Sequence, residues 1–346
     1  KDIKNPNISF KISINPISRL WNRWFSHPKR VTNQIKKLIE AKACDLVHIT
    51  DQEQAHLVPK DCGIPVVITI HDLFHMYPKQ LQLGEELVDI GDLSPGFVRR
   101  RDLDKLKDGV TRANYLICNS QHTLGATRAN FPNVEAICIP LGIDCAKYHP
   151  DNQQPVDISL PEVCNLLVVG SNDPRKRMKF LFDVIEKLPD EVRQGIHLHH
   201  VGNSAPNSGI PSITELAKSR GIKNLTVHGS SVSDDYLMTL RIKCDALLFP
   251  SVSEGFGYPP IESMAAGMQV ICADLPSHNE LMPENSCIPA NDMAEWVTSI
   301  TSLYEKYLSD EVGKTTSQTD MIVHAQQYDN SVFCQRLSDA YNSFVA

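Results

Sequence analysis

Two glutamates, Glu254 and Glu262, bracket the seven residues GFGYPPI, in which glycines alternate with aromatics before a pair of prolines. Ionised carboxylates accept hydrogen bonds from vicinal hydroxyls. Glycines let a backbone approach a ligand closely, and amide hydrogens at a helix start bind phosphate together with the helix dipole. A polyol, then a diphosphate, then a ribose would meet these groups in order, which is the layout of a sugar nucleotide. The same spacing also fits a plain strand–turn–helix corner whose glutamates are solvated, and spacing alone does not choose between the two. A second polar pair, His71-Asp72, follows the apolar run PVVITI (65–70). At the carboxyl end of a strand it would point into the cleft that strand ends line. His197, His199 and His200 form HxHH, but no partner at metal-ligand spacing completes a site, so they read as packed or surface histidines. His71 and His75 straddle a strand end and are not read as zinc ligands.

The elements that must position these groups follow from hydrophobic period. Short apolar runs at 8–14, 45–49, 65–70, 114–118 and 134–139 read as strands, and so do 165–170, 196–202, 224–229, 245–250 and 268–273. Helical-period segments lie between them, among them 177–188, 212–220, 233–243 and 259–266. Repeated alternation of strand and helix means parallel sheets with helices on both faces. The polar, proline-bearing stretch 151–162 divides the chain, which predicts an α/β protein of two Rossmann-like domains facing a central cleft. Ligands of such folds bind at the carboxyl ends of the strands. The glutamate loop follows the strand ending at Phe249. Pro259 and Pro260 suit a first helical turn, which places Glu262 in that turn, and Gly267 suits a left-handed stop. Residues 291–308 and 331–344 are helical in pattern.

Composition narrows the classes. The chain has 346 residues, 42% hydrophobic and 22% charged, which suits two globular domains and excludes disorder, collagen and coiled coil. No apolar run approaches the ~18 residues of a membrane span. Residues 1–150 carry a net charge of +4 and the rest −11. Neither half is basic enough for a nucleic-acid binder, so no nucleic-acid partner is expected. Ten cysteines include no CxxC pair, and Cys118, Cys138 and Cys272 sit in apolar runs. That pattern fits free thiols in a reducing, cytoplasmic compartment. ISRLWNRWF (17–25) reads as a helix packing its aromatics inward, with a membrane-interface helix as the alternative.

The glutamate loop, SEGFGYPPIESMAAG, resembles the E-x7-E signature of retaining nucleotide-sugar glycosyltransferases of glycosyltransferase family 4, which have the GT-B fold. VVGSNDPRKRMKFLFDVIEKL (168–188) is similar to the family's phosphate segment. VHGSSVSDDYLMTLRIKCDALLFPS (227–251) is similar to its base-binding unit. ITIHDL (68–73), NSQHT (119–123), IPLGID (139–144) and the ending YDNSVFCQRLSDAY extend the likeness over about residues 45–346. The resemblance implies an N-terminal acceptor-side domain (1–152), a donor-nucleotide domain (153–328) and a crossover helix (329–346) returning to the first domain. It implies transfer of a sugar from a nucleoside-diphosphate donor to a hydroxyl acceptor, with retention of anomeric configuration. Glu254 and His71 would be catalytic. Arg175, Lys176 and the Gly255, Phe256, Gly257 and Tyr258 segment would hold the diphosphate, and Glu262 the ribose. Gly229, Ser230, Ser231 and Val232 would meet the base, and Asp72 and Ser120 would lie on the acceptor side. Gly142 reads as a turn residue. Where many members have Gly-Arg this chain has Gly170-Ser171, so Arg175 stands in for the second cation.

Two fixed cations beside a diphosphate make a metal unnecessary, and no DxD pair lies in the cleft loops; no metal and no cofactor are expected. The acceptor would be a sugar, a glycan or a lipid-linked glycan, reached in the cytoplasm or through peripheral contact with a membrane's inner face. On this orientation Glu254 serves turnover and Glu262 nucleotide binding. The family's opening strand and glycine-rich loop have no counterpart here, because no glycine precedes Gly63. Either that unit has been lost from the chain or this domain has diverged. The second reading of function is therefore a catalytically idle, sugar-nucleotide-binding or scaffold subunit of the same fold.

Overall fold

The apolar runs become buried parallel strands. The computed structural model describes residues 15–152, 156–207, 209–309 and 319–346; the strand expected at 8–14 lies outside them. In the first domain β1 (Val47–Ile49), β2 (Val66–Ile70), β5 (Tyr115–Cys118) and β6 (Glu135–Cys138) form a parallel sheet in the order β1-β2-β5-β6. β2 is buried along its whole length because both faces are covered. Val66, Ile68 and Ile70 face one core with Leu106 and Leu116, and Val67 faces another.

The second core is closed from the far end of the chain. The helix Asn330–Val345 lays Ala340 and Phe344 against Val67, Ile117 and Ile139. Phe344 stacks on Tyr115 with ring centroids 3.9 Å apart, and the Tyr341 hydroxyl lies 2.5 Å from His48 Nδ1. Gly142 sits where this helix crosses: a Cβ there would lie 2.6 Å from Asn330 Oδ1 and 2.8 Å from Phe333 Cβ.

Among the described residues the second domain has six parallel strands in the order β12-β11-β10-β7-β8-β9. They are β7 (Cys164–Val169), β8 (Ile196–Val201), β9 (Leu225–Gly229), β10 (Ala246–Phe249), β11 (Gln269–Asp274) and β12 (Ile288–Pro289). The chain lays down β7, β8 and β9 in one direction, then returns to place β10 on the other side of β7. Two outgoing loops diverge at such a reversal and leave a crevice between them, the usual ligand position of an open α/β sheet.

Two elements differ from expectation. Residues 79–90 fold as an antiparallel hairpin, β3 (Lys79–Leu83) and β4 (Glu86–Ile90), turning at Gly84, which has φ 61°. The alternation KQLQL-GE-ELVDI carries that signal, and only its Val88 and Ile90 are buried. The aromatic helix is also only half packed. Trp24 turns inward and donates to Asp102, which Arg23 also holds at 2.7 Å. Trp21 and Phe25, however, are 63% and 48% exposed. A π-helical segment at Asn22–Ser26 separates the flanking α-helices, shifting the face that Trp21 presents.

Candidate active site

At the strand reversal Arg175 and Lys176, after β7, meet Glu254, after β10. After β7 the chain passes Gly170 and makes a short 3₁₀ turn, Pro174–Lys176, capped by Asp173. After β10 it runs through Ser251 to Gly257 and enters the helix Tyr258–Ala265. The two loops are tied by the Val252 N–H, which donates to the Arg175 carbonyl at 2.8 Å. Gly257, at φ 118°, makes the sharp entry, and Gly267, at φ 73°, follows the helix end.

Glu254 is held from three sides. Lys176 Nζ lies 2.5 Å from Oε1, the Ser251 hydroxyl donates to the same oxygen at 2.6 Å, and Arg175 Nη1 donates to Oε2 at 2.8 Å. Arg175 Nη1 also reaches the Ser253 carbonyl at 2.8 Å. Burial alone would raise this carboxyl's pKa; the Lys176 and Arg175 charges outweigh it and hold the group at about 2. Burial lowers the Lys176 ammonium, and Glu254 opposes that shift. The Lys176 stem lies against Gly170, where a Cβ would come within 3.3 Å of its Cδ and Cε. Pro259 and Pro260 carry no amide hydrogen, so Gly255, Phe256, Gly257 and Tyr258 supply those of the loop and helix start. The Phe256 ring is buried in the core.

Glu262 is not solvated either, and it sits in the second turn of its helix rather than the first, because the helix starts at Tyr258. The Tyr148 hydroxyl donates to Oε1 at 2.8 Å, and Arg241 pairs with Oε2. The corner with two solvated glutamates is thereby excluded. Tyr148 and Arg241 were not legible in advance, since they come from separate helices 114 and 21 residues away. Gly229 closes β9 at φ 75°, Ser230 and Ser231 are exposed, and Val232 is partly buried. This segment lies at the sheet edge, two strands from β7, and no hydrogen bond links it to Glu262.

The first domain meets the glycine loop directly. The Ser120 hydroxyl donates to the Gly255 carbonyl at 2.7 Å and Thr123 Oγ1 lies 3.2 Å from it. A Cβ on Gly255 would lie 1.9 Å from the His71 carbonyl oxygen. That oxygen also accepts from Asn119 Nδ2 at 2.9 Å. Ser120 is 1% exposed and caps the helix Gln121–Asn130, accepting from the Thr123 N–H. Its hydroxyl thus joins the domains rather than lining an open acceptor face. His71 Nε2 faces the Thr50 carbonyl at 2.8 Å, which places the proton on that nitrogen. Asp72 Oδ1 accepts from the Phe74 N–H, and burial raises its pKa. Two histidines of HxHH bond within their own sheet, His197 to Thr226 at 2.8 Å and His199 to Asn165 at 2.9 Å, and the His200 ring is buried.

Two further contacts hold the domains together. Arg177, whose side chain is almost wholly buried, pairs with Glu86 of the hairpin at 2.6 Å. Glu280 accepts from the Gln121 and His122 N–H groups at 2.6 and 2.7 Å, so one domain's carboxylate caps a helix of the other. Losing a cap costs about 1 kcal/mol, which is about a fivefold change in an equilibrium. Glu280→Ala should therefore enlarge the radius of gyration in small-angle scattering. An unchanged radius and unchanged kinetics would remove Glu280 from domain closure.

Comparison with known proteins agrees with this architecture. The family model described as Glycosyltransferase Family 4 matches residues 6–147, and that described as Glycosyl transferases group 1 matches residues 162–320. The serotype-specific mannosyltransferase WbdA of Escherichia coli is 30% identical over 286 residues, 78% of this chain and 33% of that protein. The O-antigen chain mannosyltransferase RfbU of Salmonella typhimurium is 31% identical over 93 residues, 27% of this chain and 26% of that protein. This chain thus spans about a third of WbdA. Among solved structures, sucrose-phosphate synthase from Thermosynechococcus elongatus superposes with a TM-score of 0.71 at 20% identity, covering 97% of this chain and 82% of its own. Anabaena HepE in complex with UDP gives 0.65 at 17% identity, covering 90% and 82%. The chain therefore carries a Glycosyltransferase Family 4 domain followed by a Glycosyl transferases group 1 domain, the two halves of a GT-B fold.

Proposed function

We propose that this protein transfers a sugar from a nucleoside-diphosphate donor to a hydroxyl of a glycan acceptor, with retention of configuration. The observation that carries the reading is the convergence of Lys176, Arg175 and Glu254 at the strand reversal, beside a glycine loop that enters a helix. As the glycosidic bond breaks, charge develops on the diphosphate. The two cations and the amides of Gly255, Phe256, Gly257 and Tyr258 are fixed beforehand to receive it. Glu254 would accept hydrogen bonds from the sugar's hydroxyls. Glu262, its carboxylate oriented by Tyr148 and Arg241, would hold the ribose. Gly229, Ser230, Ser231 and Val232 would meet the base, with His71 and Asp72 on the opposite wall, toward the acceptor. The mannosyltransferase names of WbdA and RfbU favour mannose as the transferred sugar.

The decisive experiment is donor turnover. Incubating the protein with a panel of nucleoside-diphosphate mannoses, glucoses and galactoses, with and without oligosaccharide acceptors, should release nucleoside diphosphate. Tight binding with no turnover on any acceptor would favour the idle sugar-nucleotide-binding subunit instead. Release should persist in excess EDTA, because fixed cations occupy the place a metal would take. Complete loss on chelation, restored by Mg²⁺ or Mn²⁺, would overturn this site assignment. The exposed Trp21 and Phe25, on a helical stretch that also carries Arg19, Lys29 and Arg30, would provide peripheral membrane contact if the acceptor is lipid-linked.

A further inference from the structure

We propose that Glu254 competes with the diphosphate for Lys176 and Arg175, so that donor binding is an exchange of anions that turns the Glu254 carboxylate toward the sugar. This rests on the donor-site reading above. The geometry behind it is a closed local charge balance. Lys176 Nζ and Arg175 Nη1 each spend a donor on Glu254, at 2.5 and 2.8 Å. Arg175 Nε also lies 3.7 Å from Asp173. The side chains of Lys176, Arg175 and Glu254 are 13%, 21% and 11% exposed, so little water screens them. Ser251 adds a third donor to the same carboxylate. Three donors on one carboxylate are more than a structural tie between two loops needs, since Val252 N–H already joins them.

A diphosphate reaching this pair meets cations already paired with two carboxylates, Glu254 and Asp173. It must draw Lys176 and Arg175 donors away from Glu254, or share them with it at close range. Either way, two like charges are pressed together in a poorly hydrated site, which weakens nucleotide binding. A sugar on the diphosphate changes the balance: its hydroxyls donate to the Glu254 oxygens that the cations release. The intact donor would then regain what the bare diphosphate loses, and product nucleotide would be held less tightly once the sugar has gone. Glu254 thus helps tell donor from product, in addition to its part in turnover. The sequence alone assigns it to turnover only.

Calorimetric titration tests this with GDP, UDP and the matching nucleotide sugars as probes, on the full chain and on Glu254→Gln, Glu254→Ala, Lys176→Met and Glu254→Gln/Lys176→Met. Glu254→Gln should bind the nucleoside diphosphate about tenfold more tightly than the parent, and the nucleotide sugar should gain less. The gain should vanish in the double variant. Glu254→Ala repeats the measurement with different packing, and a thermal melt of each variant confirms folding. Unchanged or weaker diphosphate binding in folded Glu254→Gln and Glu254→Ala overturns the competition, while the donor-site reading stands if Lys176→Met still loses affinity. If Lys176→Met binds every nucleotide as the parent does, the donor-site reading itself fails and takes the competition with it.

Discussion

Gly255→Ala should abolish most transfer while leaving nucleotide binding nearly intact. Gly255 does not have a positive φ, so alanine suits its backbone conformation. The obstacle is the other domain. A Cβ would stand 1.9 Å from the His71 carbonyl oxygen, 2.9 Å from its carbon and 3.3 Å from Asn119 Nδ2. None of these is a flexible side-chain end: the carbonyl is backbone following β2, and Asn119 is buried and already bonded to it. The loop must withdraw or the domains must part, and the Ser120 and Thr123 contacts to the Gly255 carbonyl go with them. A displacement of about 1 Å between reacting groups costs about 10²-fold in rate. The diphosphate-binding groups, Lys176, Arg175 and the loop amides, all belong to the second domain and alanine keeps the Gly255 amide, so nucleotide affinity should change only a few-fold where the domains part. Steady-state kinetics beside calorimetric titration would show it. Wild-type turnover in a folded Gly255→Ala chain would mean that the observed domain contact is not the reactive one.

Lys176→Met should cost both affinity and rate. The substitution keeps the stem that packs on Gly170 and removes only the charge. A lost charge-assisted hydrogen bond to phosphate is worth about 1.5–3 kcal/mol. Loss of a group stabilising the leaving diphosphate in the transition state adds about 10²–10³ in kcat. Transfer efficiency should therefore fall by about 10³ or more. The variant also leaves Glu254 with one cation fewer, and breaking a buried pair is destabilising. Arg175, still 2.8 Å from Oε2, limits that cost. Adding Glu254→Gln should restore melting temperature, and transfer stays lost because Glu254 itself takes part in turnover. Recovery of transfer in the double variant would remove both Lys176 and Glu254 from the chemistry.

What the sequence determined by itself is the set of features built from neighbouring residues. Apolar runs of five to seven residues set the character of all ten expected strands, and the nine within the described residues fold as parallel strands at nearly those positions. The glycines and prolines around Glu254 fixed a strand–loop–helix unit, because left-handed φ and missing amide hydrogens are properties of single residues. The HxHH strand was legible for the same reason. The hairpin at 79–90 was marked only by a weak alternation, since one of its faces is solvated and carries few apolar residues.

Tertiary structure alone decided what each charge faces. That Lys176 and Arg175 close on Glu254, 78 and 79 residues away, follows from β10 returning beside β7. That Tyr148 and Arg241 take Glu262 follows from helices packing around it, and nothing in their spacing announces the contact. Ser120, Thr123 and Glu280 make their cross-domain contacts only when the two domains meet. Trp21 is exposed and Trp24 half-buried against Asp102 because the π-helical segment alters the helix's phase. The physical reason is common to all of these. Local conformation depends on a residue and its near neighbours, whereas the partner of a polar group is set by chain reversals and domain packing, which leave no period in the sequence.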